Sequence, residues 1–293
     1  MGLHSYFVLV PLSISCYMFY VHIYRVHQLL KSNVVFDCQR LPNLAYLFLK
    51  YFVEALRKKM GRLHARDVKG EAITIINCRL DTKVLRRFCS AAGYGWDYPD
   101  SEYRDIPICF PEILCLKLVV MVISAEWFRL SPMGLFRVSQ SIKTFQPIDE
   151  LKKGPFVLQA HVIEYRLVDA GVEVDITLRV ISRSSQPVWE SVLTLLSHNQ
   201  GKDKNKHPSL EFQADCLDSD DPKRGDICVP WTTGLKCIWT FSDYSPHSLL
   251  TIPARLMGYK RPTTPSLWML SKCLAEIEKH NGTLPHDGNE LKR

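Results

Sequence analysis

The chain has 293 residues, 46% apolar and 23% charged, enough apolar material to bury a core in one or two domains; a disordered or fibrous protein is excluded. Its net charge of +7 comes from Lys and Arg spread over loops and the region after an apolar N-terminus, with no nucleic-acid-binding motif around them. A surface near anionic lipid is therefore expected, and nucleic acid is not an expected partner.

Residues 6–24 contain no Asp, Glu, Lys or Arg and are rich in Val, Leu, Ile, Phe and Tyr. At 1.5 Å per residue this run is long enough to cross a hydrocarbon layer of about 30 Å. The residues before it carry no Lys or Arg, and Arg25 and Lys31 follow it. The sequence thus predicts a single-pass anchor over 1–32 with the globular part facing the cytosol, not a cleaved signal peptide. Residues 33–70 read as a basic linker. It carries an amphipathic helix over 41–60, with Leu44, Leu47, Phe48, Tyr51, Phe52 and Leu56, that ends in Arg57-Lys58-Lys59. Two placements fit it: flat on a membrane surface, or packed on the globular domain.

A first module is expected over 71–198. It opens with a short β-like run at 72–76 and a helix over 82–92 spaced through Val84, Leu85, Phe88 and Ala92. After a polar, aromatic loop at 93–104, residues 106–121 are almost uniformly apolar and are entered through Pro107 and Pro111, which predicts a helix buried on all sides. Strands follow over 134–145, 156–168, 172–180 and 187–198. Val172, Val174, Ile176, Leu178 and Val180 alternate onto one inner face. Turn-like residues at 169–171 and 182–186 make the last three strands hairpin neighbours in an antiparallel meander. Residues 199–234 are polar and turn-rich, an exposed linker, and their Asp cluster lacks the register of a calcium loop.

The densest signal comes last. A β-type run at 235–241 feeds a polar turn at 242–248, then a short helical piece ending at Gly258, a basic proline-flanked loop, and a helix in which Leu267, Leu270, Leu274 and Ile277 share a face. This segment resembles the MaoC-like hydratases and dehydratases, the (R)-specific enoyl-CoA hydratase family. They carry a D-x-N-P-x-H turn, an A-x-x-x-G-[FY] helix end and a P-I-x-H-G entry to a long helix. Asp243, Pro246, Ala254, Gly258, Tyr259 and Trp268 fall on matching positions. The chain departs from the pattern at Ser248, which stands at the family's catalytic His, with His247 one place early. Ser245 replaces the family's Asn, and Pro265-Ser266 its His-Gly pair.

The resemblance implies an α+β hot-dog fold: a curved antiparallel sheet around a central helix at 71–198, followed by a partial second hot-dog unit at 235–293. It implies a fatty acyl thioester of coenzyme A or acyl carrier protein as ligand, no cofactor or metal, and pairing of two copies edge to edge as a homodimer. Hydrating an enoyl thioester needs a base for water, an acid for the α-carbon and donors for the thioester oxygen. Asp243 is the implied acid/base and His247 the second group, with Ser245, Ser248, Tyr259 and Ser266 lining the substrate site. The alternative is a catalytically inactive hot-dog protein that senses acyl chains or scaffolds a dimer. No G-x-S-x-G, phosphate loop, H-E-x-x-H or dinucleotide fingerprint offers a different chemistry.

Overall fold

The computed structural model describes residues 34–64, 72–96, 98–100, 105–198 and 264–282, with isolated positions at 17, 20–24, 27, 28, 229 and 237. Six strands form one sheet in the order β1-β2-β4-β5-β6-β3: β1 (Val35–Asp37), β2 (Ile73–Cys78), β3 (Leu135–Thr144), β4 (Phe156–Val168), β5 (Gly171–Ile181) and β6 (Pro187–His198). Among the described residues only the β1–β2 pair is parallel. The alternation in the sequence decides the register. Rows of inward side chains run across three strands, Leu158–Val180–Trp189, Ala160–Leu178–Ser191 and Val162–Ile176–Leu193, and every one of them is buried. Register shifts in β2, β3, β4 and at the end of β5 bend the strands, which lets the sheet wrap a helix.

That helix is the uniformly apolar stretch. With α1 (Leu44–Arg57) and α2 (Thr82–Ala92) preceding it, α3 (Phe110–Ile123) begins just ahead of Pro111 and packs on β2, β4 and β5. The indole Nε1 of Trp189 donates to Ile108 O at 2.9 Å and pins the entry of α3 to β6. The boundaries of α2 are those its chemistry dictates. The Asp81 side chain accepts from Lys83 N at the start, and Gly93 closes the end at φ +95°, where a Cβ would be strained.

Of the two placements open for the amphipathic helix of the 33–70 segment, α1 is packed on the domain, burying Tyr46 and Leu47 in the core. Residues 35–37, expected as linker, form β1 and extend the sheet. Strand β3, whose partner the sequence left open, pairs with β6 at the sheet edge opposite β1. In α4 (Ser266–Gly282) Leu267, Trp268, Ser271 and Ala275 are buried and Leu270 and Leu274 pack partly buried against the core, so of the four residues expected to share a face Ile277 alone is exposed. The indole sets this rotation, because its Nε1 donates to Ala91 O at 3.2 Å and docks α4 on α2. The membrane-spanning helix expected over 6–24 falls mostly outside the described residues. Among the described residues no helix is long and apolar enough to cross a membrane.

Candidate functional site

Where the entry to α3, the connection from β3 to β4 and the C-terminal half of α4 meet, they enclose a cleft of about 680 Å³, lined by Tyr98, Asp105 to Ile108, Thr144 to Ile148 and Glu278. Asp105 builds one wall. Its Oδ1 accepts from Ile106 N at 2.8 Å and Asp149 N at 2.7 Å, and its Oδ2 from Ile148 N at 2.9 Å. Asp149 answers by accepting from Ile106 N at 3.0 Å and from the Lys152 ammonium at 2.8 Å. Two carboxylates thereby clasp the β3–β4 connection onto the entry of α3. Burial, and then Asp149, raise the Asp105 carboxyl above the ordinary carboxylate range. Burial works against Asp149 as well, yet hydrogen bonds from Lys152 and Asp105 hold it below that range.

The opposite wall belongs to α4. The Glu278 carboxylate accepts from Tyr98 Oη at 2.9 Å and from Tyr94 Oη at 3.3 Å, and the two rings pack at 4.7 Å between centroids. Burial, with the nearby Glu278 charge second, pushes the Tyr94 phenol far up, so it stays a neutral donor.

Behind the cleft, α3 carries a carboxylate that no solvent reaches. Glu112 sits in its first turn, with Oε1 2.6 Å from the Arg137 guanidinium and Oε2 accepting from the Gln140 amide. Gln140 in turn donates to Ser191 Oγ at 3.2 Å and accepts from Arg137 at 2.9 Å. Cys109, just before the helix, is buried, and its thiol is pushed up to about 12 by burial and then by Glu112. It is inert as a nucleophile.

Of the residues singled out by sequence, Ser266 lies at the exposed start of α4. Asp243, Ser245, His247, Ser248 and Tyr259 lie outside the described residues. The described part of the cleft supplies carboxylates and phenols. Sequence reading missed Asp105, Asp149, Tyr98 and Glu278, which are too far apart along the chain for any spacing signal. Glu112 did leave one, as the lone carboxylate in an apolar run. Among the described residues no group of His, Cys, Asp and Glu is arranged to hold a metal ion.

No family model matches the chain. No curated protein matches it either. Solved structures do. HtdX of Mycobacterium tuberculosis is 16% identical, with 71% of this chain and 77% of that one covered and a TM-score of 0.56. A MaoC-like dehydratase from Phytophthora capsici is 15% identical over 73% of this chain and 75% of that one, at 0.54. A further MaoC-like dehydratase is 12% identical over 76% and 78%, at 0.51. At such identities the likeness is one of fold. The chain has the α+β hot-dog fold of the MaoC-like dehydratases.

Proposed function

We propose that this protein binds a fatty acyl thioester of coenzyme A or acyl carrier protein, and that it interconverts 2-enoyl and 3-hydroxyacyl thioesters. The observation that carries the reading is the placement of α4. The helix that follows the Asp243 to Tyr259 segment is docked on α2 and forms one wall of the cleft at the entry of α3, in a chain whose hot-dog fold is shared with proteins named MaoC-like dehydratases. Asp243 acts as acid and base across one water, with His247 as the second group. Tyr259, Ser245, Ser248 and Ser266 line the thioester. Residues 235–293 form the partial second hot-dog unit, with α4 as its helix. The free side of β3, an edge strand of the described sheet, is where a second copy pairs. Residues 1–32 anchor the chain in a membrane with the globular part toward the cytosol; support for this is the uncharged run at 6–24.

Ser248 at the family's His position, and Pro265 without an N–H at its oxyanion donor, favour a second reading: binding without turnover. One assay separates the two. The full chain is given crotonyl and longer enoyl thioesters of coenzyme A, loss of the enoyl absorbance is followed, and Asp243→Asn is run beside it. Hydration is expected, with the variant slower by about 100-fold or more. Absent turnover with retained binding of a labelled acyl thioester selects the second reading. A folded chain with neither turnover nor binding overturns both.

A further inference from the structure

Helix α1 has two faces. The inner one holds Tyr46, Leu47 and Glu54 against the domain. The Lys58 ammonium that follows it is buried too, 2.9 Å from Glu54 Oε2 and donating to Phe128 O at 2.7 Å. The outer face carries Leu49, Phe52, Val53 and Leu56, exposed by 47, 48, 42 and 86%. These positions are i, i+3, i+4 and i+7, one continuous apolar stripe on a surface helix. Burying side chains of this size is worth about 1.5–3 kcal/mol each, so four of them aligned in water mark a contact surface.

The charges around the stripe choose its occupant. Glu54 is the one acidic residue of α1, and it is turned inward. Arg57, Lys59 and Arg62, at and just beyond the C-terminal end, are exposed, with Arg57 3.3 Å from Glu54 Oε1. At the other end, His27 Nδ1 lies 3.0 Å from Tyr46 Oη and ties the N-terminal segment to the first turn of α1, with its Nε2 4.0 Å from the carboxylate of Glu126. On that segment Tyr17, Tyr20 and Tyr24 are exposed, and the last two stack at 5.7 Å. Apolar stripe, flanking cations and tyrosines together match the boundary between headgroups and acyl chains. Two copies paired parallel about a two-fold axis would bring Arg57, Lys59 and Arg62 against their own mates, and two paired antiparallel would set them against the N-terminal half of the other α1, which carries Lys50 and no carboxylate; either way self-pairing is disfavoured.

We propose that the outer face of α1 lies on an anionic phospholipid bilayer, with Leu49, Phe52, Val53 and Leu56 in the acyl boundary and Arg57, Lys59 and Arg62 among the headgroups. This is a surface contact made by a folded helix, distinct from a crossing of the bilayer by residues 6–24.

The test replaces Phe52 with p-benzoylphenylalanine in the full chain, tolerated because the side chain is half exposed. The control is the same replacement at Leu167, an exposed apolar residue at the β4–β5 end of the sheet. Each protein is mixed with vesicles of phosphatidylcholine containing a minority of phosphatidylserine, illuminated and weighed by mass spectrometry. A phospholipid adduct at position 52 and none at 167 is expected. Lys59→Ala with Arg62→Ala should lower the yield about tenfold or more in those vesicles. A cross-link of twice the chain mass, a cross-link within the chain, no adduct at 52, equal lipid adducts at both sites, or a yield indifferent to the two cations overturns the proposal.

Discussion

At the scale of single residues, Glu112 is the side chain whose burial most needs explaining. An isolated carboxylate at the centre of a fold would be neutralised or excluded, so it persists only where its charge is matched. Arg137 supplies the match at 2.6 Å, and Gln140 occupies the second oxygen, so α3 is tied to the edge strand β3 by a charged bond. The arithmetic of such pairs is asymmetric: removing one partner strands the other, whereas replacing both with apolar side chains does not. Arg137 retains some contact with solvent, which softens the first effect. Glu112→Ala is accordingly expected to destabilise the protein by about 3 kcal/mol in urea denaturation. Replacing Glu112 and Arg137 together with Met should recover most of that loss. A single variant as stable as the double would show that the pair does not hold β3 to the helix.

Among the elements, those with local punctuation could be read from sequence. The limits of α2 follow from Asp81 and Gly93, β5 from strict alternation over 172–180, and β4 and β6 from their apolar runs and the turns at 169–170 and 182–186. The three residues of β1 are too few for any period to appear, and the pairing of β3 with β6 depends on how the chain returns across the helix. The facing of α4 was legible from Leu267, Leu270 and Leu274, which pack on the core, but its rotation toward Trp268 and away from Ile277 follows from the indole N–H finding the Ala91 carbonyl, which a leucine count does not show. The Asp105–Asp149 clasp was invisible for a similar reason, since folding alone brings its halves together. It also gives the β3–β4 connection a defined pH response. Because the folded-state pKa of Asp105 is raised, the native protein holds its proton more tightly than the unfolded chain. The stability from this group is full below its ordinary value of 3.8 and is lost as pH rises through the folded pKa. Asp149, being lowered, works in the opposite sense and loses its contribution as pH falls. Asp105→Asn removes the first effect, while the Lys152 hydrogen bond, the larger of the two that lower Asp149, stays in place. The urea midpoint of the variant should therefore fall short of wild type by more near pH 4 than near pH 7, and a gap that widens toward neutral pH would contradict the assignment.

Across the whole molecule, one apolar cluster joins the sheet, α1, α2 and α3, and α4 enters it through Leu267 and Trp268. Its attachments converge on α2 and the loop beyond: Trp268 on Ala91, Glu278 on Tyr94 and Tyr98, and Lys272 close over Gly93. None of these bonds reaches the rows of side chains between β4, β5 and β6 that carry the centre of the core. The fold thus has a strong nucleus and a docked helix whose local opening needs less than global unfolding. This matters for function, because α4 forms one wall of the cleft and follows directly on the segment that carries Asp243. Trp268→Ala deletes the largest buried group of that helix and the hydrogen bond to Ala91, a loss of about 3 kcal/mol. If the docking is local, amide exchange along α4 accelerates by roughly a hundredfold while β5 amides keep their wild-type rates. Equal acceleration in α4 and β5 would mean that the helix is part of the nucleus, and that the cleft cannot open without unfolding the sheet.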